Sequence, residues 1–296
     1  MKKLLCICLI LCLGILCACG DDKAAANTPD NEQLQQNSGQ NNSNGSNKDQ
    51  NTAVPPDNSQ NKEPDPSAKE PLPLEWSDHV FTGTFSDETL TKDPLVLLTV
   101  NLPRVTAAED IELYYQNKLD RIKEQAQTTY LDLARGNYTF AREGIGIFAP
   151  VVVEHDYKVV RNDGKLFSVY REIYENTGGA HPSITLAFET FRVSDGARMI
   201  FSDMFTVPYE EIIKKLQPLI EEQMDKNIKE YGAEYYFENA KNDLFDMWDK
   251  NDWCITDDQL IMCWQTYAIS PYVAGVQEFY IPLDSVADII DAQWIS

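Results

Sequence analysis

The chain has 296 residues, of which 47 are acidic and 25 basic, for a formal net charge of −22. So large an acidic excess excludes nucleic acid as a partner, because a polyanion binds through phosphate neutralisation by Lys and Arg. It leaves either a well-solvated exterior or a surface that steers a basic partner.

The first predicted element is a signal peptide. Lys2 and Lys3 precede an apolar run from Leu4 to Leu16, which ends in Leu16-Cys17-Ala18-Cys19-Gly20. The run is shorter than the roughly 18 apolar residues a spanning helix requires. Leu16, Ala18 and Cys19 occupy the positions that a lipoprotein signal needs, with a branched aliphatic, a small residue and then the first mature cysteine. Residues 1–18 are therefore expected to be removed and Cys19 to carry the lipid. That places the chain on the extracellular face of a bacterial membrane, since two or three acyl chains on one residue anchor stably where a single chain does not.

Residues 19–75 are rich in Asn, Gln, Ser, Asp, Pro and Lys, with few large apolar residues before Leu72 and Leu74. Such a segment cannot bury enough surface to offset its ordering entropy, so it is expected to be a disordered tether. As a flexible chain it would span about 40 Å.

From Trp76 to Ser296 the composition is that of a globular domain, with 37 acidic and 19 basic residues. His79–Ser86 and Leu95–Leu102 read as strands. A helix follows, with Thr106 as N-cap, Glu109 at the capping-box position, and Ile111, Tyr115, Leu119, Ile122, Ala126, Tyr130 and Leu133 at three-four spacing up to Gly136. Pro150–Val160 and Lys165–Tyr174 form a hairpin about Asn162-Asp163-Gly164, and Ser183–Val193 is a further strand. Bulky residues on alternate positions of both faces predict that the two strands flanking Gly178 are central in their sheet. Pro208–Tyr231 is helical, with Ile212, Leu216, Leu219, Ile220 and Met224 as its stripe and Pro218 as a kink site. A shorter helix over Asn239–Trp248 precedes strands at Trp253–Thr256, Leu260–Ala268 and Val276–Ile281, and the chain closes with a helix at Leu283–Ile290. Strands in hairpin order with helices between groups predict an α+β fold with a largely antiparallel sheet.

Of seven cysteines only Cys254 and Cys263 fall in the globular part. A two-residue turn at Asp258-Gln259 would set them opposite each other, and export permits a disulfide. Two buried free thiols are the competing reading. Two thiols without a histidine pair do not supply the ligands of a zinc site, so neither metal nor cofactor is expected.

The strongest local signature is Tyr174-Glu175-Asn176-Thr177-Gly178-Gly179-Ala180-His181-Pro182, between two strands. Gly178 and Gly179 permit a tight exposed connection that presents His181, either as a ligand-binding group or as a cap on backbone atoms. Downstream, Leu260-Ile261-Met262-Cys263-Trp264-Gln265-Thr266-Tyr267-Ala268-Ile269-Ser270-Pro271-Tyr272-Val273-Ala274-Gly275 ends a strand in an aromatic bend containing Pro271. Together with Asp203-Met204-Phe205 and Tyr280-Ile281-Pro282-Leu283, these segments make Val80–Ile290 similar to the extracellular domain of the lysozyme-sensing anti-sigma-V factors (RsiV-like). The same domain precedes the catalytic part of the peptidoglycan deacetylase PdaC. The resemblance implies an α+β fold and binding of lysozyme or another cell-wall ligand, with Gly178, Gly179, His181 and Tyr272 as candidate ligand-binding residues. It does not carry over signalling, since no cytoplasmic segment or spanning helix is read in this sequence. Nor does it carry over deacetylation, whose Asp- and His-rich metal motifs are missing.

His79, His155 and His181 form no His-Glu-x-x-His pair, and no G-x-S-x-G elbow occurs, so no catalytic residue is assigned. The expectation is a non-catalytic surface lipoprotein bound to its membrane through lipid, with lysozyme or peptidoglycan as partner. A wall-active hydrolase or an accessory factor of peptidoglycan metabolism is the alternative.

Overall fold

The computed structural model describes residues 72–295. The signal peptide, Cys19 and the tether up to residue 71 lie outside the described residues. The chain forms strands β1 (Glu75–Phe85) and β2 (Val96–Thr106), helices α1 (Glu109–Gln125) and α2 (Leu131–Arg142), and strands β3 (Val151–Asn162), β4 (Leu166–Asn176) and β5 (Ser183–Arg192). Helix α3 (Tyr209–Tyr231) and strands β6 (Trp253–Ile255), β7 (Gln259–Trp264) and β8 (Gln277–Pro282) complete it. The fold is α+β. β1 to β5 form one sheet in chain order, antiparallel except for the β2–β3 pair, and β6 to β8 form a second, antiparallel sheet.

Alternation along the strands builds four layers, in the order α1, large sheet, small sheet, α3. Val151, Val153, Phe167, Val169 and Phe191 face one side of the large sheet, where Ile111, Tyr115, Leu119 and Ile122 of α1 cover them. Leu186 and Phe188 of β5 face the other way, against Cys254, Ile261 and Cys263 of the small sheet. The opposite side of the small sheet meets α3, whose Ile212, Leu216, Ile220 and Met224 are fully buried.

Several expectations are corrected. Thr106 is not the N-cap of α1: it is still paired with Glu75 in the sheet, and its hydroxyl donates to the Glu75 carbonyl. The chain turns at Ala107, where φ is +63°, and Glu112 instead accepts the Val105 N–H at 2.8 Å. Gly136 does not stop the helix, which continues through a π-helical turn at Ala126–Tyr130 to Arg142. A Cβ at Gly136 would meet nothing within 4 Å, so that glycine answers to no close contact. β5 is an edge strand, not a central one. Its apolar residues on both faces reflect a layer on each side, which sequence alternation cannot distinguish from lateral neighbours. Asn239–Trp248 is a series of hydrogen-bonded turns instead of a helix, and Leu283–Ile290 is a short 3-10 turn followed by turns.

The cysteine staple is also not formed. The turn falls at Asp257-Asp258, closed by Thr256 N–H to the Gln259 carbonyl, so Cys254 pairs with Ile261 and not with Cys263. Both thiols are free and buried. Among the described residues no helix is long and apolar enough to cross a membrane.

Candidate functional site

The β4–β5 connection is shaped by one of its two glycines. Gly178 has φ +85°, and a Cβ there would lie 2.8 Å from the Asn137 amide nitrogen of α2. That amide donates to the Thr177 carbonyl at 2.8 Å, so the helix holds the loop, and a side chain at 178 would have to displace the amide and adopt a strained φ. Gly179 is under no such constraint: its φ is not positive and its nearest neighbour is 3.9 Å away.

The loop delivers His181 onto Tyr272. The rings stack with centroids 3.6 Å apart and an interplanar angle of 25°. The Tyr272 hydroxyl donates to the Pro182 carbonyl at 2.7 Å, and His181 Nδ1 lies 3.1 Å from the same oxygen. A carbonyl only accepts, so that contact places the ring proton on Nδ1 and leaves Nε2 as the acceptor, 3.5 Å from the Tyr267 hydroxyl. The imidazole thus has neither a carboxylate nor a serine or cysteine among its hydrogen-bond partners in the described residues.

Tyr272 is held from below. Pro271 leads into a 3-10 turn at Tyr272–Ala274, and Gly275 turns the chain back with φ +71°. The buried Gln277 amide donates to the Ala274 carbonyl at 2.7 Å and to Gly275 at 3.3 Å. Gln265 clamps the free edge of β5 by accepting from Leu186 N–H at 3.1 Å and donating to its carbonyl at 2.7 Å. Its amide also donates to Asp252 at 2.8 Å. Burial pushes the Asp252 carboxyl up to about 6, against the Gln265 hydrogen bond and with the help of Asp249.

Beside Tyr272 opens a groove of about 570 Å³ between the second face of β4–β5 and the end of the small sheet. Tyr170, Glu172, Ile184, Tyr272, Val273 and Glu278 supply its character. Ile184 and Val273 are exposed, Val273 by 91%. Burial raises the Glu278 carboxyl above its ordinary range against hydrogen bonds from Tyr280 and Tyr170, and the Glu172 charge adds to the rise. Glu278 Oε1 has no hydrogen-bond partner among the described residues. An aromatic wall, an apolar rim and two carboxylates make a surface suited to a partner with apolar and cationic groups.

Of the residues singled out from sequence, His181 and Tyr272 are brought together, and Gly178 shapes the loop that carries His181. Gly179 has no structural part in this. His181 backs Tyr272 and does not line the groove. Tyr170, Glu172, Ile184 and Glu278 were missed. Their signal was alternation: Tyr170 and Glu172 share a strand face, and Glu278 points away from the buried Gln277 and Phe279. Among the described residues no three of His, Cys, Asp and Glu gather where a metal could bind.

Comparison with known proteins divides the chain at this groove. Residues 90–184 match the family described as "Deacetylase PdaC", and residues 202–284 match the "Protein of unknown function (DUF3298)" family. The chain thus carries a PdaC-like domain followed by a DUF3298 domain. His181 falls in the first and Tyr272 in the second. Two solved structures are similar to the chain. A DUF3298 family member from Bacteroides fragilis has a TM-score of 0.56 at 20% identity, covering 75% of this chain and 96% of its own. A DUF3298 family protein from Pseudomonas aeruginosa has a TM-score of 0.49 at 17% identity, covering 76% and 97%. No curated protein matches.

Proposed function

We propose that this chain is a non-catalytic surface lipoprotein whose Tyr272 groove binds a protein or cell-wall ligand, with a basic lysozyme as the leading candidate. The PdaC and DUF3298 domains point to a cell-wall-related role. The observation that carries the binding reading is the convergence of Tyr272, stacked on His181, with Glu172, Glu278 and exposed Ile184 and Val273 around one groove. Aromatic and apolar groups there supply contact area, while the carboxylates and the acidic domain as a whole favour a cationic partner. Among the described residues the hydrogen-bond partners of His181 are the Pro182 carbonyl and the Tyr267 hydroxyl, a setting that supports binding over hydrolysis. Lipid on Cys19 and a tether ahead of β1, which begins at Glu75 and so shortens the expected 19–75 segment, would hold the groove at the outer face of the membrane.

The test is titration of the chain with lysozyme across a salt series. Binding that weakens as salt rises and is lost in Tyr272→Ala supports the reading. Peptidoglycan binding without lysozyme binding would move the ligand to the wall itself. Turnover of peptidoglycan fragments that His181→Ala abolishes would replace binding with hydrolysis.

A further inference from the structure

A second concavity, of about 380 Å³, lies on the helix-covered side of the large sheet and has the opposite charge. Along that face apolar positions adjoin charged or titratable ones two residues away, β5 running in the reverse direction. Val151 and Val153 give way to His155, Phe167 and Val169 to Arg171, and Phe191 to Glu189. Lys118 of α1 and Arg198, just past β5, close the cavity with His155 and Arg171.

The side chains of Arg171 and Glu189 are only 5% and 2% exposed. Burying such a pair carries a large desolvation penalty, which apolar side chains of similar volume avoid. Glu189 accepts from Lys118 at 2.8 Å and from Arg171 Nε at 3.0 and 3.1 Å. One carboxylate thus faces two cations, and Arg198 adds a third that makes no salt bridge among the described residues. Among the described residues its guanidinium donates only to the Phe188 carbonyl, at 3.2 Å. Arg121 also lines the cavity, but the carboxylates of Asp120 and Glu124 share an adjoining groove with it and offset its charge. The cavity still carries two net positive charges in a chain of net charge −22.

His155 adds a neutral donor. Its Nδ1 lies 3.3 Å from Arg171 Nη1, and a guanidinium can only donate, so Nδ1 accepts and Nε2 carries the proton. Burial, followed by the Arg171 and Lys118 charges, lowers its pKa to about 4.

We propose that Lys118, Arg171, Arg198 and His155 form a binding site for a doubly charged, phosphate-type oxyanion. Two guanidinium groups and an ammonium around a concave, partly desolvated space match the donor set that such oxyanions take. The anion would offset the charge that Glu189 leaves unbalanced. The site lies on the opposite face of β4 from the Tyr272 groove, with Arg171 between the groove residues Tyr170 and Glu172, and does not rest on the groove's assignment.

The experiment is calorimetry of the full chain in mild detergent at fixed ionic strength, titrated in turn with inorganic phosphate, glycerol phosphate, succinate and chloride. The His155 ring resonances serve as a local reporter. Saturable phosphate binding that shifts those resonances, falls at least about tenfold in Arg198→Ala and in Lys118→Met, and is unchanged in Tyr272→Ala supports the site; about tenfold corresponds to one charge-assisted contact. Tighter binding of glycerol phosphate than of phosphate would assign the anion to an ester on a larger molecule, and the reverse to the free ion. Absence of saturable binding, succinate binding more tightly than either phosphate, or phosphate binding unaffected by Arg198→Ala would overturn the proposal.

Discussion

His181 lies flat against Tyr272, with ring centroids 3.6 Å apart, and both rings address the same Pro182 carbonyl. The stack joins the β4–β5 loop to the bend after β7, so the PdaC-like and DUF3298 segments meet at the groove's edge. Tyr272→Phe should cost about 1 kcal/mol of stability, the value of one hydrogen bond, and keep the stack. Tyr272→Ala should lose both and weaken ligand binding more than it weakens the fold. Urea unfolding and ligand titration on the same variants separate the two effects.

The two loop glycines should respond differently. Gly178→Ala meets both a positive φ and the Asn137 amide, and is expected to destabilise by about 1–3 kcal/mol. Gly179→Ala meets neither, so its midpoint of unfolding should stay within about 0.5 kcal/mol of the parent. Adding Asn137→Ala to Gly178→Ala should recover only part of the loss, since the backbone strain persists. Equal effects at 178 and 179 would contradict this assignment.

Glu189, which is buried, and Asp252, which is half-buried, should give opposite pH dependences. Burial pushes Glu189 up, but Arg171 and Lys118 outweigh it and hold its carboxyl below the ordinary 4.5. The stability it confers is therefore present above pH 4.5 and is lost as pH falls through its lower folded value. Glu189→Gln leaves Arg171 buried without its counter-ion, at an expected cost of about 3–5 kcal/mol near neutral pH. Asp252 is raised from 3.8 to about 6, so its contribution is present below pH 3.8 and lost as pH rises through 6. Asp252→Asn retains the acceptor for Gln265 and should raise the melting temperature at pH 7 to 8 with little effect at pH 4. Melting curves across pH 3 to 8 for both variants check the two signs.

Cys254 and Cys263 should be chemically silent in the folded chain. Burial pushes both thiols well above their ordinary range, with Glu278 adding to Cys254 and Asp252 to Cys263. A thiol reagent at pH 7.5 should label neither until denaturant is added, and then both. Intact mass two units lower under non-reducing conditions would instead reveal the disulfide.

The parts of the fold that a single periodicity specifies were legible. The α3 stripe of Ile212, Leu216, Ile220 and Met224 is buried as its spacing requires, and the Asn162-Asp163-Gly164 hairpin forms. The edge position of β5 was not legible, because residues such as Leu186 and Phe188 are covered by another layer and not by flanking strands. The β6–β7 register was lost by one step at the turn, which was enough to move Ile261 opposite Cys254. At the site, His181 and Tyr272 stood out because Gly-Gly and Pro flank them. Glu172 and Glu278 did not, since each is one acid among many until the fold brings distant strands together. The cationic cavity was invisible for the same reason: Lys118, His155, Arg171 and Arg198 come from separate elements.

The most direct measurement is the affinity of the chain for lysozyme at low salt, for the parent and Tyr272→Ala side by side. Saturable binding by the parent that decreases with salt and falls by tenfold or more in the variant is the expected result. No binding by the parent at low salt, or equal binding by the folded variant, would contradict the assignment of a lysozyme-binding groove at Tyr272.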